Sequence, residues 1–280
     1  MMSKKNVLVA PVLKWVGGKR QLLDVLVPLV PKNYKTYCEP FLGGGALLFK
    51  LQPQTAFVND VNEDLMTVYE VIRDDVDGLI AILNTHENNS DYYYKIRDWD
   101  RNKESYAKLS KTEKAARILY LNKTCFNGLF RVNNAGEFNS PFGNYRNPNI
   151  VNAPTLKAVS NYFNTATIVF SSQDYQTTLE ELPSNAFVYL DPPYDPISNT
   201  ANFTGYAKGG FGRDEQIRLR KCCDDLNKRG VKFMLSNSAT DFIKEQYSAY
   251  NITIVKARRA INSVATKRGD VEEVVIRNYE

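Results

Sequence analysis

The sequence predicts an α/β fold: a sheet of the nucleotide-binding kind with helices on both faces, interrupted by a mainly helical insertion. Three observations predict it. Residues 37–49, YCEPFLGGGALLF, pass from a short apolar strand through three glycines into a helix. The apolar run Ala186–Leu190 stops abruptly at Asp191-Pro192-Pro193-Tyr194. Between residues 62 and 160 the alternation of strand and helix is lost, and it returns from Ala166.

The bulk properties set bounds. A chain of 280 residues can bury a sizeable core, and 43% apolar with 24% charged residues is ordinary for a globular protein. The formal charge of +5 is compatible with a nucleic-acid partner but is weak support alone. Cys38, Cys125, Cys222 and Cys223 form no C-x-x-C pair, so reduced thiols in a cytoplasmic protein are expected. His86 is the single histidine and sits in polar THENNSD, which reads as a solvated loop. A histidine metal cluster or a Ser-His-Asp triad is thereby nearly excluded. No leader is expected at the N-terminus, since Pro11, Lys14 and Lys19 interrupt its apolar run. Nor does any apolar run approach a membrane span.

The elements follow in order. Gly17 and Gly18 make a turn beside Lys19 and Arg20, and an apolar helix over 21–27 is closed by Pro28 and Pro31. The turn is not a Walker motif, which needs longer spacing. After residues 37–42, Gly43, Gly44 and Gly45 let the backbone approach a ligand and lead into the helix ALLFKL. The third glycine of a dinucleotide fingerprint is missing, which weakens a dehydrogenase reading. Strand TAFVN ends in Asp60, placed either to accept from ribose hydroxyls or to cap the next helix. Leu65, Val68, Tyr69, Ile72, Leu79, Ile82 and Leu83 recur at helical spacing. EKAARILYLNKTCF predicts a further helix.

The segment 126–146 mixes glycine, asparagine and aromatic residues between Arg131 and Arg146, and NNAGEF predicts a hairpin turn flanked by short strands. Arginine, amides and rings are what reading and replacing a base requires; a plain glycine-rich loop with aromatic anchors has the same composition. TIVFSSQDY predicts a strand ending at Asp174 and Tyr175. Residues 195–213 read as a mobile loop over the site. A helix over 214–229 with Gly230 just past its end, a strand VKFMLSN, a short helix DFIKEQY and a closing hairpin complete the chain. The hairpin loop carries Arg258, Arg259, Lys267 and Arg268, a phosphate-contact candidate.

Asp191-Pro192-Pro193-Tyr194 has its own chemical logic. Neither proline can donate to a sheet ladder, so pairing must stop and present Asp191 and Tyr194 at the strand's carboxyl end. Asp191 and the Pro192 carbonyl are two acceptors side by side, suited to an exocyclic amine. Tyr194 can stack on the flat ring that carries it.

These motifs converge on a family. KWVGGK at 14–19, EPFLGGGAL at 39–47, FNGLFRVN at 126–133, GEFNSPFGNY at 136–145 and DPPY at 191–194 occur in register. With TANFTGY at 200–206 and LSNS at 235–238, they resemble the Dam-type DNA adenine-N6 methyltransferases, the α-group amino-methyltransferases, closest to GATC-specific enzymes. The likeness runs from about residue 11 to 279. It implies a Rossmann-like class I methyltransferase sheet, residues 1–61 and 161–280, that binds S-adenosyl-L-methionine and releases S-adenosyl-L-homocysteine. It implies an inserted, mainly helical target-recognition domain with a β-hairpin at 62–160. No metal is expected. Double-stranded DNA is the expected partner, met by a monomer or weakly associating protein acting on the nucleoid of a bacterial or phage-infected cell.

Carried onto this chain, the resemblance assigns Trp15 and Lys19 to the cofactor, Phe41, Gly43 and Gly45 to its methionine end, and Asp60 to its ribose. Asp174 and Tyr175 would flank its adenine, and Asp191 would touch both cofactor and target base. Asp191, Pro192 and Tyr194 would carry catalysis. Lys14, Leu129, Arg131 and Pro141 would meet base edges. Phe126 would intercalate where the adenine left, Asn127 would support the opened site, and Tyr145 would touch the backbone. Two positions depart from some relatives: Phe126 where they have Tyr, and Asn144 where they have Arg. The rivals are methylation of cytosine N4 and a DNA-binding relative without activity.

Overall fold

The structure, a computed structural model, describes residues 5–197, 210–258 and 270–280. The strands are β1 (Thr36–Glu39), β2 (Thr55–Asn59), β3 (Thr167–Ser171), β4 (Ala186–Leu190), β5 (Lys232–Ser238), β6 (Asn251–Arg258) and β7 (Asp270–Arg277). They form one seven-stranded sheet in the order β3-β2-β1-β4-β5-β7-β6, flanked by helices, as the sequence predicts. β1 lies parallel to β2 and β4, and β4 parallel to β5, whereas β7 is antiparallel to both β5 and β6. The helices are α1 (Leu23–Leu29), α2 (Ala46–Leu51), α3 (Glu63–Asp74), α4 (Val76–Leu83), α5 (Ser90–Arg97), α6 (Lys103–Ala107), α7 (Lys111–Thr124), α8 (Ala153–Thr165), α9 (Tyr175–Glu180), α10 (Arg213–Lys228) and α11 (Asp241–Gln246). Among the described residues, no helix is long and apolar enough to cross a membrane.

The chain forms two compact units. One comprises Met1–Gly18, Gly43–Gln52 and Asn62–Ser172, and the other Lys19–Leu42, Pro53–Val61 and Gln173–Glu280. The first is mostly helical. Asn62 caps α3 by accepting from Leu65 N, and Asp75 caps α4 by accepting from Gly78 N. Ser110 and Glu113 close a reciprocal capping box on α7. That helix buries Ala115, Ala116, Ile118, Leu119 and Leu121.

The second unit holds six strands. β4, AFVYL, is buried along its whole length, as an unbroken apolar run on a doubly covered parallel sheet must be; β1, TYCE, is equally buried, with Glu39 accepting from the Tyr37 hydroxyl. Val188, Leu190, Phe233 and Leu235 pack with Leu219, Cys223 and Leu226 of α10. Gly230, at φ 71°, ends α10: its N–H donates to Asn227 O and Val231 N–H to Leu226 O. This is a Schellman close that needs a left-handed residue.

Four expectations are corrected. α1 runs through Pro28, because a proline in the last turn forfeits only one helical bond; it ends where Val30, which precedes Pro31, turns extended. β3 ends at Ser171, since the Asp174 carboxylate accepts from Gln176 N and starts α9 instead of extending the strand. The segment around NNAGEF forms no regular strands, only isolated bridges: Val132–Phe138, closed by Asn133 N donating to Glu137 O, and Cys125–Phe142 at its root. His86 is not a solvated loop residue: its ring packs 4.5 Å from that of Tyr120 and Nδ1 bonds the Tyr92 hydroxyl. Burial holds its pKa down at about 4.

Candidate active site

β4 delivers Asp191 from an apolar run, and the turn after it is braced from below. Asn237, fully buried on β5, accepts from Asp195 N and Ser238 N through Oδ1. Its Nδ2 donates to Gln216 Oε1, and Gln216 Nε2 in turn donates to the Pro193 carbonyl at 2.8 Å. Thr240 donates to the buried Asp195 carboxylate. The Asp-Pro-Pro-Tyr turn is therefore fixed by side chains where the two prolines cannot donate a backbone bond.

Above that brace, Lys19 Nζ lies 2.8 Å from Asp191 Oδ1 and 4.6 Å from the centre of the Tyr194 ring. The Tyr194 hydroxyl donates to Glu273 Oε2 at 2.8 Å. Burial pushes the Asp191 carboxyl up to about 6, against the pull of Lys19 and with a push from Glu273. Burial, then the Asp191 and Glu273 carboxylates, push the Tyr194 hydroxyl well above its ordinary value. The phenol stays protonated and can only donate to Glu273. A carboxylate, an ammonium, a ring and a second carboxylate thus form one connected group.

Phe41, Tyr175 and Phe211 make a ring cluster, with Phe41 and Tyr175 centroids 5.0 Å apart. Asp174 stands directly before Tyr175 at the start of α9 and is exposed. It is gripped by Arg218, whose Nη2 and Nη1 donate to its two oxygens at 2.6 and 3.0 Å. Asp60 follows β2, and since the cap of α3 is Asn62, capping is not its role.

In the helical unit the glycine turn takes the conformation only glycine adopts freely. Gly43 has φ 47° and Gly45 φ 63°. A Cβ on Gly43 would lie 2.9 Å from Trp15 Cδ1, so the indole is seated against bare backbone. Tyr69 fixes the turn by donating to Gly43 O.

The same unit carries the segment with arginine, amides and rings. Asn122, buried on α7, accepts from Lys14 N and donates to Lys14 O and Gly128 O. Lys14 Nζ sits 5.4 Å from the Tyr145 ring, and Asn127 N donates to the Tyr145 hydroxyl. Asn127 itself is held at φ 58°. Pro141 O accepts from Phe126 N, while the Phe126 ring remains 53% exposed. Leu129 is half-buried, and exposed Arg131 donates through Nε to Asn139 Oδ1 at 2.7 Å.

The structure therefore groups Lys14, Asn127 and Tyr145, pairs Trp15 with Gly43, and joins Lys19, Asp191 and Tyr194. Arg258 closes β6 by its backbone, whereas Arg259, Lys267, Arg268 and the motif at 200–206 lie outside the described residues. Sequence reasoning missed Glu273, Gln216, Asn237 and Asn122. Only the Asn237 motif, LSNS, offered any signal.

Comparison with known proteins finds related chains along nearly the whole length. The profile of the family described as D12 class N6 adenine-specific DNA methyltransferase matches residues 15–261. The chain is 41% identical to the Type II methyltransferase M1.LlaDCHI of Lactococcus lactis subsp. cremoris, covering 100% of this chain and 99% of that one. It is 42% identical to the Type II methyltransferase M.MjaIII of Methanocaldococcus jannaschii, covering 97% and 99%. It is 33% identical to the DNA adenine methylase of Haemophilus influenzae, covering 95% and 92%.

Proposed function

Because this chain belongs to the family of D12 class N6 adenine-specific DNA methyltransferases, we propose that it methylates the adenine of GATC in duplex DNA after turning that base out of the helix. The enzyme is an adenine-specific DNA methyltransferase, and its family uses S-adenosyl-L-methionine. The finer reading is ours: the sequence GATC, the flipped base, the residue roles and the division at 62–160. So is action in the cytoplasm on nucleoid DNA, by a monomer or weakly associating protein without a metal.

The residues present fit the cofactor. Gly43 presents backbone in a place a Cβ would fill, Phe41 and Tyr175 offer ring faces, and Asp60 offers a carboxylate at a strand tip. S-adenosyl-L-methionine supplies an electrophilic methyl on a sulfonium. We assign Trp15, Lys19, Phe41, Gly43, Gly45, Asp60, Tyr175 and Asp191 to holding it. With Tyr175, Asp174 flanks its adenine, the carboxylate oriented by Arg218.

Asp191 and the Pro192 carbonyl accept hydrogen bonds from the two N–H groups of the adenine amine and orient its lone pair toward the place of the methyl donor. The Pro193 carbonyl already has Gln216 as donor, which leaves Pro192 the carbonyl assigned to the base. Tyr194 stacks on the purine, its ring fixed at the far end by Glu273. Extruding the base costs on the order of a few kcal/mol, met by stacking and by Phe126 and Asn127 filling the gap. Lys14, Leu129, Arg131 and Pro141 read base edges, Tyr145 meets the backbone, and Arg258 and Arg259 meet phosphate. Catalysis is positioning and electrostatics, with no histidine required.

The observation that carries this reading is the half-buried Asp191 carboxylate, 2.8 Å from Lys19 and beside a ring anchored by Glu273. Methylome sequencing of a methylation-free host expressing the chain tests it. The expected result is adenine N6 methylation at GATC, absent with Asp191→Ala although that variant still binds DNA. Methylated cytosine N4, or DNA binding with no methylation by the wild type, would each overturn it.

A further inference from the structure

Away from the Asp191 turn, the helical unit buries an ion cluster that the methylation chemistry does not use. Arg117 on α7 and Asp100, in the turn Asp98–Arg101 after α5, are almost wholly buried and lie 2.8 Å apart. Such a pair weakens a fold unless every hydrogen-bonding position is filled. Here Arg117 also donates to the carbonyls of Ile96 and Arg97. Asp100 accepts from Arg101 through Oδ1 and, through Oδ2, from the backbone N–H of Phe138 at 2.8 Å. Arg101 completes the clasp by donating to Phe138 O at 2.7 Å and reaching Glu137 Oε2 at 3.4 Å.

Both backbone groups of Phe138 are therefore held by two adjacent side chains of another segment. Phe138 is also the residue that bridges Val132 across the turn, and its ring is buried edge-on against Phe130. That turn has no regular strands: the Val132–Phe138 bridge, the Cys125–Phe142 bridge at its root and a few cross-turn bonds such as Asn133 N to Glu137 O make only a short ladder of its own. The pair Arg131–Asn139 sits at its base, joined by Asn139 N donating to Arg131 O and by Arg131 Nε donating to Asn139 Oδ1.

We propose that Asp100 and Arg101, backed by Arg117, are specificity-positioning residues: their clasp on Phe138 sets where Arg131 stands and so how sharply the target base is discriminated. This rests on the reading of Arg131 as a base reader. A base-edge contact needs placement within a fraction of an ångström, and a turn with so short a ladder takes part of that placement from outside itself. The clasp touches neither cofactor nor reacting atoms, so its loss should blunt selection without slowing methylation of the cognate site.

Arg101→Met tests it, because Arg101 is partly exposed and its loss leaves the buried Asp100–Arg117 pair intact. The ratio of kcat/KM on cognate duplex to that on single-base variants should fall about tenfold, while cognate kcat and melting temperature stay near wild type. Arg101→Lys keeps the charge but cannot grip a carboxylate and a carbonyl together, so it should fall between. Should Arg101→Met fail to fold, Arg101→Lys carries the same test. An unchanged ratio overturns the proposal. Hydrogen exchange over 131–139 gives an arm independent of activity: because Asp100 still holds the Phe138 amide in Arg101→Met, the cross-turn amides of Asn133 and Asn139 are read, and their lost protection supports the clasp whereas unchanged protection overturns it. If the wild type shows no base preference at any site, the reading of Arg131 fails instead, and the exchange result still decides whether the clasp holds the turn.

Discussion

Tyr194 and Glu273 are joined by a hydrogen bond of 2.8 Å in which the phenol donates to the carboxylate, while Lys19 lies over the face of the same ring. The ring is thus fixed at its tip and over one face. Tyr194→Phe keeps a surface for stacking and loses only the tether. Hydrogen bonds to charged groups are worth about 1.5–3 kcal/mol. Single-turnover methylation by Tyr194→Phe should therefore slow by about tenfold. Glu273→Ala should slow it similarly, and Tyr194→Ala much more. Equal losses for Phe and Ala at 194 would show that the tether, not the ring, is what matters.

The Asp191 carboxyl, raised by burial to about 6, dictates a pH profile. It accepts from the amine as a carboxylate, so kcat should rise with pH through about 6 and level off above it. Stability moves the opposite way. A carboxyl whose folded pKa exceeds its unfolded one binds more protons when native, so its contribution is full below the unfolded value and is lost as pH rises through about 6. Single-turnover rates and urea melts from pH 5 to 8 read the two trends. A rate that is flat across pH 6 would rule out ionised Asp191 as the acceptor.

Gly43 is a position where no other residue fits. At φ 47°, with Trp15 Cδ1 2.9 Å from a would-be Cβ, alanine must both strain the backbone and displace the indole. Gly43→Ala should weaken S-adenosyl-L-homocysteine binding by about tenfold, on the order of the 1–2 kcal/mol such strain costs. Calorimetry on the cofactor product reads it directly. DNA binding without cofactor should be nearly unaffected, and a parallel loss there would mean general unfolding.

How much was legible beforehand follows from the range of the forces involved. β2 and β4 match their sequence limits because a run of apolar residues ended by Asn-Asp or by Asp-Pro-Pro is a local signal. Gly230 is likewise local, three residues fixing its Schellman turn. Glu273 was invisible because its meaning depends on antiparallel register, which sets it opposite Ser238 and within reach of Tyr194. That Arg218, 44 residues on, bonds both oxygens of Asp174 is likewise a pairing that no local signal shows. His86 sat among polar neighbours in the chain and among rings in space. The sheet was readable from period and punctuation, whereas the pairings that tune the site are long-range.

Arg131 carries the last prediction. Its Nε and one Nη2 hydrogen are occupied by Asn139, at 2.7 and 3.2 Å, which fixes the plane of the guanidinium before any DNA arrives. A guanidinium fixed in its plane loses less entropy on forming a bidentate pair with guanine O6 and N7. Arg131→Ala should then cost about 1–3 kcal/mol of discrimination at one base and little at the others. Arg131→Lys, which cannot be bidentate, should recover charge attraction but not that discrimination. Competition between GATC duplexes and each single-base variant measures both. If the loss in Arg131→Ala were uniform across all four positions, Arg131 would be a phosphate contact and the base reader would lie elsewhere on the 126–146 segment.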